Sequence, residues 1–451
     1  MKHIILITLS FLLAFRLSAQ QNAEVKKLSL QEAVELAKAN NVNLKNNKLE
    51  VLQAEQKVKE VMALGLPNVN AEGSFLHNIE IPVQRLPNFI NAALPAGSPQ
   101  GPEFIDARFG VNYTTSAKIT ATQLLFDGGF LMGLKASKEF VNLSRVNLQR
   151  NEVQTTVDVS KAYYMVLIMQ TNLKLLNANI QQLEKVSFDL EQASNNGLID
   201  KIEFDRISLQ LSNLTLQRDK LVDQEKIALM LLKLQMGINI QDNVQLTDEL
   251  ESLYTKKQTA PVEATPDLTK RPEYRLLQQQ VRLFELSKKR YQYGFAPSLA
   301  AFATHQQNTF GNNFSDVGRT WFPGTFWGLS LNIPVFDGLR KNAQIQQEDI
   351  NIKIARNNLD NLQSSLMVQV NAAQANYKRV NQQILIQKKN LDLAQEIYNK
   401  VELKYKNGLA SSLELTTSQT DLETARTNYL TTVYDFFIAE LELQQSLGNI
   451  N

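Results

Sequence analysis

The 451-residue chain contains no cysteine. That absence excludes disulfides, thiolate metal sites and lipid attachment through an N-terminal cysteine. Histidine is nearly as scarce, with three in all: His3 in an apolar leader, and His77 and His305 in separate strand-like stretches. No paired-histidine spacing, serine nucleophile motif or nucleotide-binding loop accompanies them, so the chain reads as a non-enzyme with no catalytic residue, metal site or cofactor. An excess of charge of one sign is also missing. A net charge of +2 with scattered Lys and Arg lacks the concentrated basic patch that nucleic acid binding favours. Long hydrophobic runs are absent beyond the leader, and no segment supplies the 18 or so apolar residues of a transmembrane helix.

What is present begins with Met1 to Gln20. Lys2 and His3 precede an apolar run from Ile4 to Phe15, and Leu17, Ser18 and Ala19 lead into a polar stretch. This predicts a signal peptide over 1–19, cleaved after Ala19 or Gln20, and hence an exported chain.

The rest is one unit written twice. Leu124-Leu125-Phe126-Asp127-Gly128 recurs as Pro334-Val335-Phe336-Asp337-Gly338, Asn196-Gly197-Leu198 as Asn407-Gly408-Leu409, and Met236-Gly237 as Leu447-Gly448. The last two pairs share an offset of about 211 residues. Between these landmarks apolar residues step by three and four, as in Leu366, Val370, Ala373, Tyr377, Val380 and Ile384. Such spacing is the seam of a supercoiled helix. Each copy therefore predicts a helical hairpin turning at a glycine, Gly197 or Gly408, with arms of roughly 100 Å and 50 Å at 1.5 Å per residue. A shorter helical pattern precedes each, Asn43 to Leu64 and Glu273 to Tyr293, and Ser29 with Glu32 reads as the cap of an earlier short helix. Gly129 with Gly133 matches a small-residue helix contact, read here as close packing.

Pro67 and Pro297 end the shorter helices, and beyond each the period falls to two. Strands are expected at about 68–80 and 109–126 in the first copy and about 298–310 and 324–336 in the second, where Pro334 marks the return to helix. Pro82, Pro87, Pro95, Pro99 and Pro102 make the connection between the first two strands too proline-rich for regular structure. One face of each strand is apolar and the other carries small uncharged polar residues, at a length suited to a membrane barrel. Four strands cannot close a barrel and lipid tolerates no open edge, so the chain must oligomerise. Eight strands from a dimer or twelve from a trimer would both close.

In the order of these motifs the chain resembles the TolC family of outer membrane efflux proteins. The resemblance rests on Leu30 to Ala37, Ala162-Tyr163-Tyr164, both Phe-Asp-Gly turns, both Asn-Gly-Leu tips and Ser446-Leu447-Gly448. It implies a mainly α fold with a membrane β-barrel: a homotrimer whose twelve-stranded outer-membrane barrel continues into a long periplasmic α-helical barrel. The division is then a first repeat over 20–237, an equatorial linker over 238–270 expected to be irregular, and a second repeat over 271–451. The family's tips dock a periplasmic adaptor, which carries over to Gly197, Leu198, Gly408 and Leu409. Its periplasmic gate carries over to Glu414, Glu203 and Tyr405, with a Tyr405 to Glu203 bond holding the entrance shut and three Glu414 carboxylates forming a cation-attracting ring. Ala410 and Thr417 replace an arginine and an acid usual in the family. The function implied is a passive exit duct in the outer membrane lipid, fed through the adaptor by an inner-membrane pump of RND, ABC or MFS type. The competing reading is an exported coiled-coil scaffold or adhesin without a pore.

Overall fold

The structure, a computed structural model, describes residues 25–257 and 267–450 except 94, 96 and 100. The expected signal peptide lies outside the described residues. The chain divides into two compact units, one of Met1–Leu52, Asn142–Gln280 and Ala355–Asn451, the other of Gln53–Val141 and Val281–Ile354.

In the first unit, a short strand β1 (Lys26–Leu28) leads into helix α1 (Leu30–Asn40). Ser29 caps α1 in a complete capping box with Glu32, whose carboxylate is held below its ordinary range first by the backbone N–H and then by the hydroxyl of Ser29. Helix α2 (Val42–Ala63) follows, and its continuation belongs to the second unit.

The second unit is built on a sheet. Strand β2 (Asn68–His77) is followed by β3 (Val83–Pro87), helix α3 (Phe89–Ala93), β4 (Phe104–Arg108) and β5 (Tyr113–Phe126). The proline-rich connection is thus more regular than expected, because β3 and β4 pair in an antiparallel ladder of five residues each. Pro95, Pro99 and Pro102 lie between its strands, and Pro87 occupies the last place of β3, so the prolines interrupt little of the pairing. After the first hairpin come β7 (Ser298–Gly311) and β8 (Phe322–Asn332), and the main sheet runs β2-β5-β7-β8, antiparallel throughout. Its central pair, β5 with β7, joins the two repeats, while β2 and β8 have no outer neighbour among the described residues.

Register sorts the side chains. Glu72 faces Lys118, Ser74 faces Ser116, Thr120 faces Thr304 and Lys118 faces Gln306, so one face is polar. The opposite face brings together Ala71 with Ile119, Ala121 with Ala303, and Ala303 with Trp327. Each face has exceptions. Phe302 and Phe326 stand edge to face on the polar side, and His305 bonds Thr325 at 2.7 Å on the apolar side. A register shift between Leu124 and Phe126 marks the place where β5 gives way to helix.

The remaining helices are α4 (Gly128–Asn195), α5 (Lys201–Met236), α6 (Leu250–Lys257), α7 (Pro272–Tyr293), α8 (Arg340–Lys406) and α9 (Ser412–Leu447). The long arms contain 68 and 67 residues and the return arms 36 each, so the duplication is nearly exact in length. The core of the helical unit gathers around Tyr163, Tyr164, Phe436 and Phe437, all fully buried, with Tyr164 stacked on Phe437 at 4.6 Å. Such a stack adds about 1 kcal/mol to ordinary burial.

The expected irregular linker is also partly ordered. Strand β6 (Val244–Leu246) pairs in parallel with β1, and Asp248 accepts hydrogen bonds from the Leu30 N–H (2.7 Å) and the Tyr163 hydroxyl (2.8 Å). A three-residue strand is too short to show alternation, and its partner lies in a distant part of the chain, so neither was visible in the sequence. Gly237 and Gly448 end the return arms at φ 67° and 74°. A Cβ on Gly237 would stand 2.4 Å from the Asn40 carbonyl oxygen, so this close approach requires glycine.

Candidate functional site

Both hairpins turn by the same device. At the first tip Gly197 adopts φ 70°, its N–H bonds Ser194 and the Leu198 N–H reaches back to the Ala193 carbonyl at 2.9 Å. At the second, Gly408 adopts φ 71°, its N–H bonds Tyr405 and the Leu409 N–H reaches Lys404 at 2.8 Å. These are Schellman closures, in which the residue after the glycine commonly packs back on the helix. Leu198 and Leu409 do not, since each remains 76% exposed. The turn accounts for the glycines and leaves the two leucines unexplained by helix termination.

The return helices start differently in the two copies. Asp200 caps α5 by accepting the Ile202 N–H at 3.0 Å. Ser411 caps α9 in a capping box, with the Glu414 carboxylate accepting the Ser411 N–H at 2.9 Å. The equivalent acid of the first copy, Glu203, leaves its own helix and accepts the Ser412 N–H at 2.9 Å. The α9 N-terminus therefore receives two carboxylates, one from its own first turn and one from the other hairpin. Both complement the partial positive charge of the helix start.

This arrangement changes the sequence reading of the gate. The hydrogen bond expected from Tyr405 to Glu203 is not formed; the carboxylate is taken by the backbone of Ser412 instead. Tyr405 lines the same cleft of about 440 Å³, with Leu190, Ala193, Ile199, Glu203 and Glu402. Its phenol is pushed up to about 12, first by burial and second by the charge of Glu203. Glu414 is exposed but engaged as a helix cap, and the motif Ser411-x-x-Glu414 that announces this role was legible in the sequence.

Sequence reasoning missed the polar links further along the hairpins. Gln182 of α4 donates to Glu402 of α8 at 2.6 Å, and Lys406 pairs with the same carboxylate at 2.9 Å. Deeper still, Glu423 and Arg426 form a buried ion pair at 2.8 Å, and Asn179 of the first hairpin donates to Glu423. Burial raises the Glu423 carboxyl, with Arg426 opposing the shift. Heptad spacing gives no signal for the links from Gln182 to Glu402 and from Asn179 to Glu423, because each joins residues from different copies. Of the helix-to-strand prolines, Pro67 and Pro297 immediately precede β2 and β7, and Pro334 follows the end of β8.

Residues 292–449 match the outer membrane efflux protein family. TolC of Salmonella enteritidis is 23% identical over 366 residues, covering 76% of this chain and 71% of that protein. TolC of Escherichia coli (strain K12) is 22% identical over 364 residues, with the same coverage. Among solved structures, a membrane protein from Pseudomonas aeruginosa superposes with a TM-score of 0.71 at 16% identity, over 93% of this chain and 92% of that one. CusC superposes with a TM-score of 0.70 at 16% identity over 95% of both chains. VceC from Vibrio cholerae gives 0.67 at 14% identity, over 93% of this chain and 96% of that one. The chain thus shares its fold with these solved membrane proteins. The resemblance read from the motifs is matched by these comparisons, with the family model falling within the second repeat.

Proposed function

We propose that the chain is the outer-membrane duct of a tripartite efflux system, a passive exit for solutes delivered by an inner-membrane pump through a periplasmic adaptor. The observation that carries this reading is the four-stranded antiparallel sheet with one mainly apolar and one mainly polar face and two edges unpaired among the described residues. A sheet with open edges is excluded from lipid, and closure requires strands from further copies. Twelve strands from three copies make a barrel whose polar faces line a wet lumen, and the TolC-like fold favours this number over eight strands from two. The helical hairpins then form the periplasmic extension.

Gly197 with Leu198 and Gly408 with Leu409 are the adaptor-docking tips in this proposal. Support comes from the two leucines, equally exposed at equivalent turns and unused by the turns themselves. Glu203, Tyr405 and Glu414 belong to the gate. Glu203 acts by joining one hairpin to the start of the other's return helix, and Tyr405 acts by occupying the cleft beside it. Transport energy comes from the pump, whose RND, ABC or MFS class also sets the cargo.

The test is reconstitution of the purified protein in planar bilayers together with gel migration before and after heating. A duct migrates as a heat-sensitive oligomer and conducts ions. A coiled-coil scaffold or adhesin shows neither behaviour, and that result rejects the proposal.

A further inference from the structure

A cavity of about 640 Å³ opens where the sheet meets the helices of its own unit. Its lining is of two kinds: Leu64, Leu124 and Phe130 are apolar, whereas Arg290, Arg340 and Lys341 are cationic. Lys341 lies 3.9 Å from Asp337 and stacks over the Phe295 ring at 5.1 Å. Asp127, also on the wall, is occupied as a helix cap by the Phe130 N–H at 2.7 Å. Neither Arg290 nor Arg340 has an ion-pair partner among the described residues. Two uncompensated guanidinium groups thus face one cavity with greasy walls.

The glycines of α4 make room for one of them. A Cβ on Gly133 would lie 3.8 Å from the Nε of Arg290, and one on Gly129 the same distance from the Arg290 carbonyl. The Gly129 and Gly133 pair therefore opens a bed for Arg290, a more specific role than helix packing alone. Leu64 stands just before Pro67 and β2, Leu124 near the end of β5, and Gly294 just before β7. The cavity accordingly lies at the level of the strand ends on the helix side. With the sheet in a bilayer, that is the depth of lipid phosphates in the periplasmic leaflet.

We propose that this cavity binds the phosphate of an anionic phospholipid, with Arg290 and Arg340 holding the head group and Leu64, Leu124 and Phe130 receiving the start of an acyl chain. Guanidinium forks suit phosphate oxygens in bidentate fashion, and the apolar wall distinguishes an amphiphile from a free anion. The inference rests on the proposed membrane barrel.

Native mass spectrometry of the detergent-solubilised oligomer, titrated with phosphatidylglycerol, phosphatidylcholine or inorganic phosphate, tests it. Phosphatidylglycerol adducts should form in preference to phosphatidylcholine and fall at least tenfold in Arg290→Gln with Arg340→Gln. Arg340→Lys should retain part of the binding, and heat-sensitive migration of every variant reports that the fold is intact. Equal adducts with both lipids, or unchanged binding in the intact double variant, overturn the site. Inorganic phosphate competing as well as the lipid overturns the phospholipid assignment. A protein that conducts but gives no preferential adduct leaves the duct standing and removes the site, whereas one that neither oligomerises nor conducts removes the barrel on which both depend.

Discussion

The carboxylate that crosses between hairpins gives the sharpest test of the gate. Glu203→Ala removes the acceptor of the Ser412 N–H, at a residue that is 0% exposed. Leaving a buried backbone donor without its partner costs about 1–3 kcal/mol. Loss of negative charge at the start of α9 adds about 0.3–1 kcal/mol. If the link exists only while the hairpins are together, a net loss of about 2 kcal/mol moves the closed-to-open ratio by roughly thirtyfold, since 1.4 kcal/mol is a factor of ten. Glu414→Ala is the matched control. It removes a carboxylate from the same helix start but leaves the crossing bond intact, so its cost of about 0.5–2 kcal/mol falls on α9 alone. Single-channel recording in planar bilayers should therefore show a raised open probability for Glu203→Ala and an open probability close to wild type for Glu414→Ala, whose carboxylate supplies charge at the gate and not the crossing link. Equal behaviour of the two variants, in either direction, refutes the assignment.

Tyr405→Phe should leave the open probability close to wild type, because the ring still occupies the cleft and the phenol does not bond the acid; a rise matching that of Glu203→Ala would return the lock to the tyrosine hydroxyl. Leu198→Ser with Leu409→Ser should weaken adaptor capture at least tenfold in a pull-down against the cognate adaptor while conductance stays unchanged, and full retention would remove the tips from the interface. Glu423 has a folded-state pKa above its ordinary 4.5, so its contribution to stability is fully present below that value and is lost as pH rises through the folded pKa. The melting temperature of Glu423→Gln relative to wild type should therefore climb as pH rises from 4.5, and a constant difference would deny that burial dominates. Gly237→Ala forces a Cβ to 2.4 Å from the Asn40 carbonyl oxygen and should lower thermal stability markedly; an unchanged melt would mean that the α1 to α2 junction yields freely.

Much of this fold was legible because the chain states it twice. Arm lengths, glycine turns and the four long strands follow from local periodicity, which a single copy shows and a second confirms. What escaped notice depends on residues that meet only after folding. The β1 and β6 ladder joins the start of the first repeat to the linker that follows it, and the crossing of Glu203 to Ser412 spans 209 residues. Family likeness pointed to Glu203 and Tyr405, which line one cleft, while the Glu203 carboxylate is bonded by the Ser412 N–H, a partner that no local pattern announces. The opposite failure occurs at Ser411 and Glu414, where a local motif was present and the resemblance directed attention past it. In the first long loop, proline count was a poor guide because most of the prolines sit between paired segments instead of within them.

The sheet has a bearing on how the molecule reaches its destination. In the proposed barrel β2 and β8 each want a neighbour that the described residues do not supply, so arrival in the bilayer and meeting a sibling would be a single event. Biogenesis should then depend steeply on how many copies are present at once. One copy with a spoiled edge would disable the sound copies it joins, so a lesion in either border strand would act as a dominant poison.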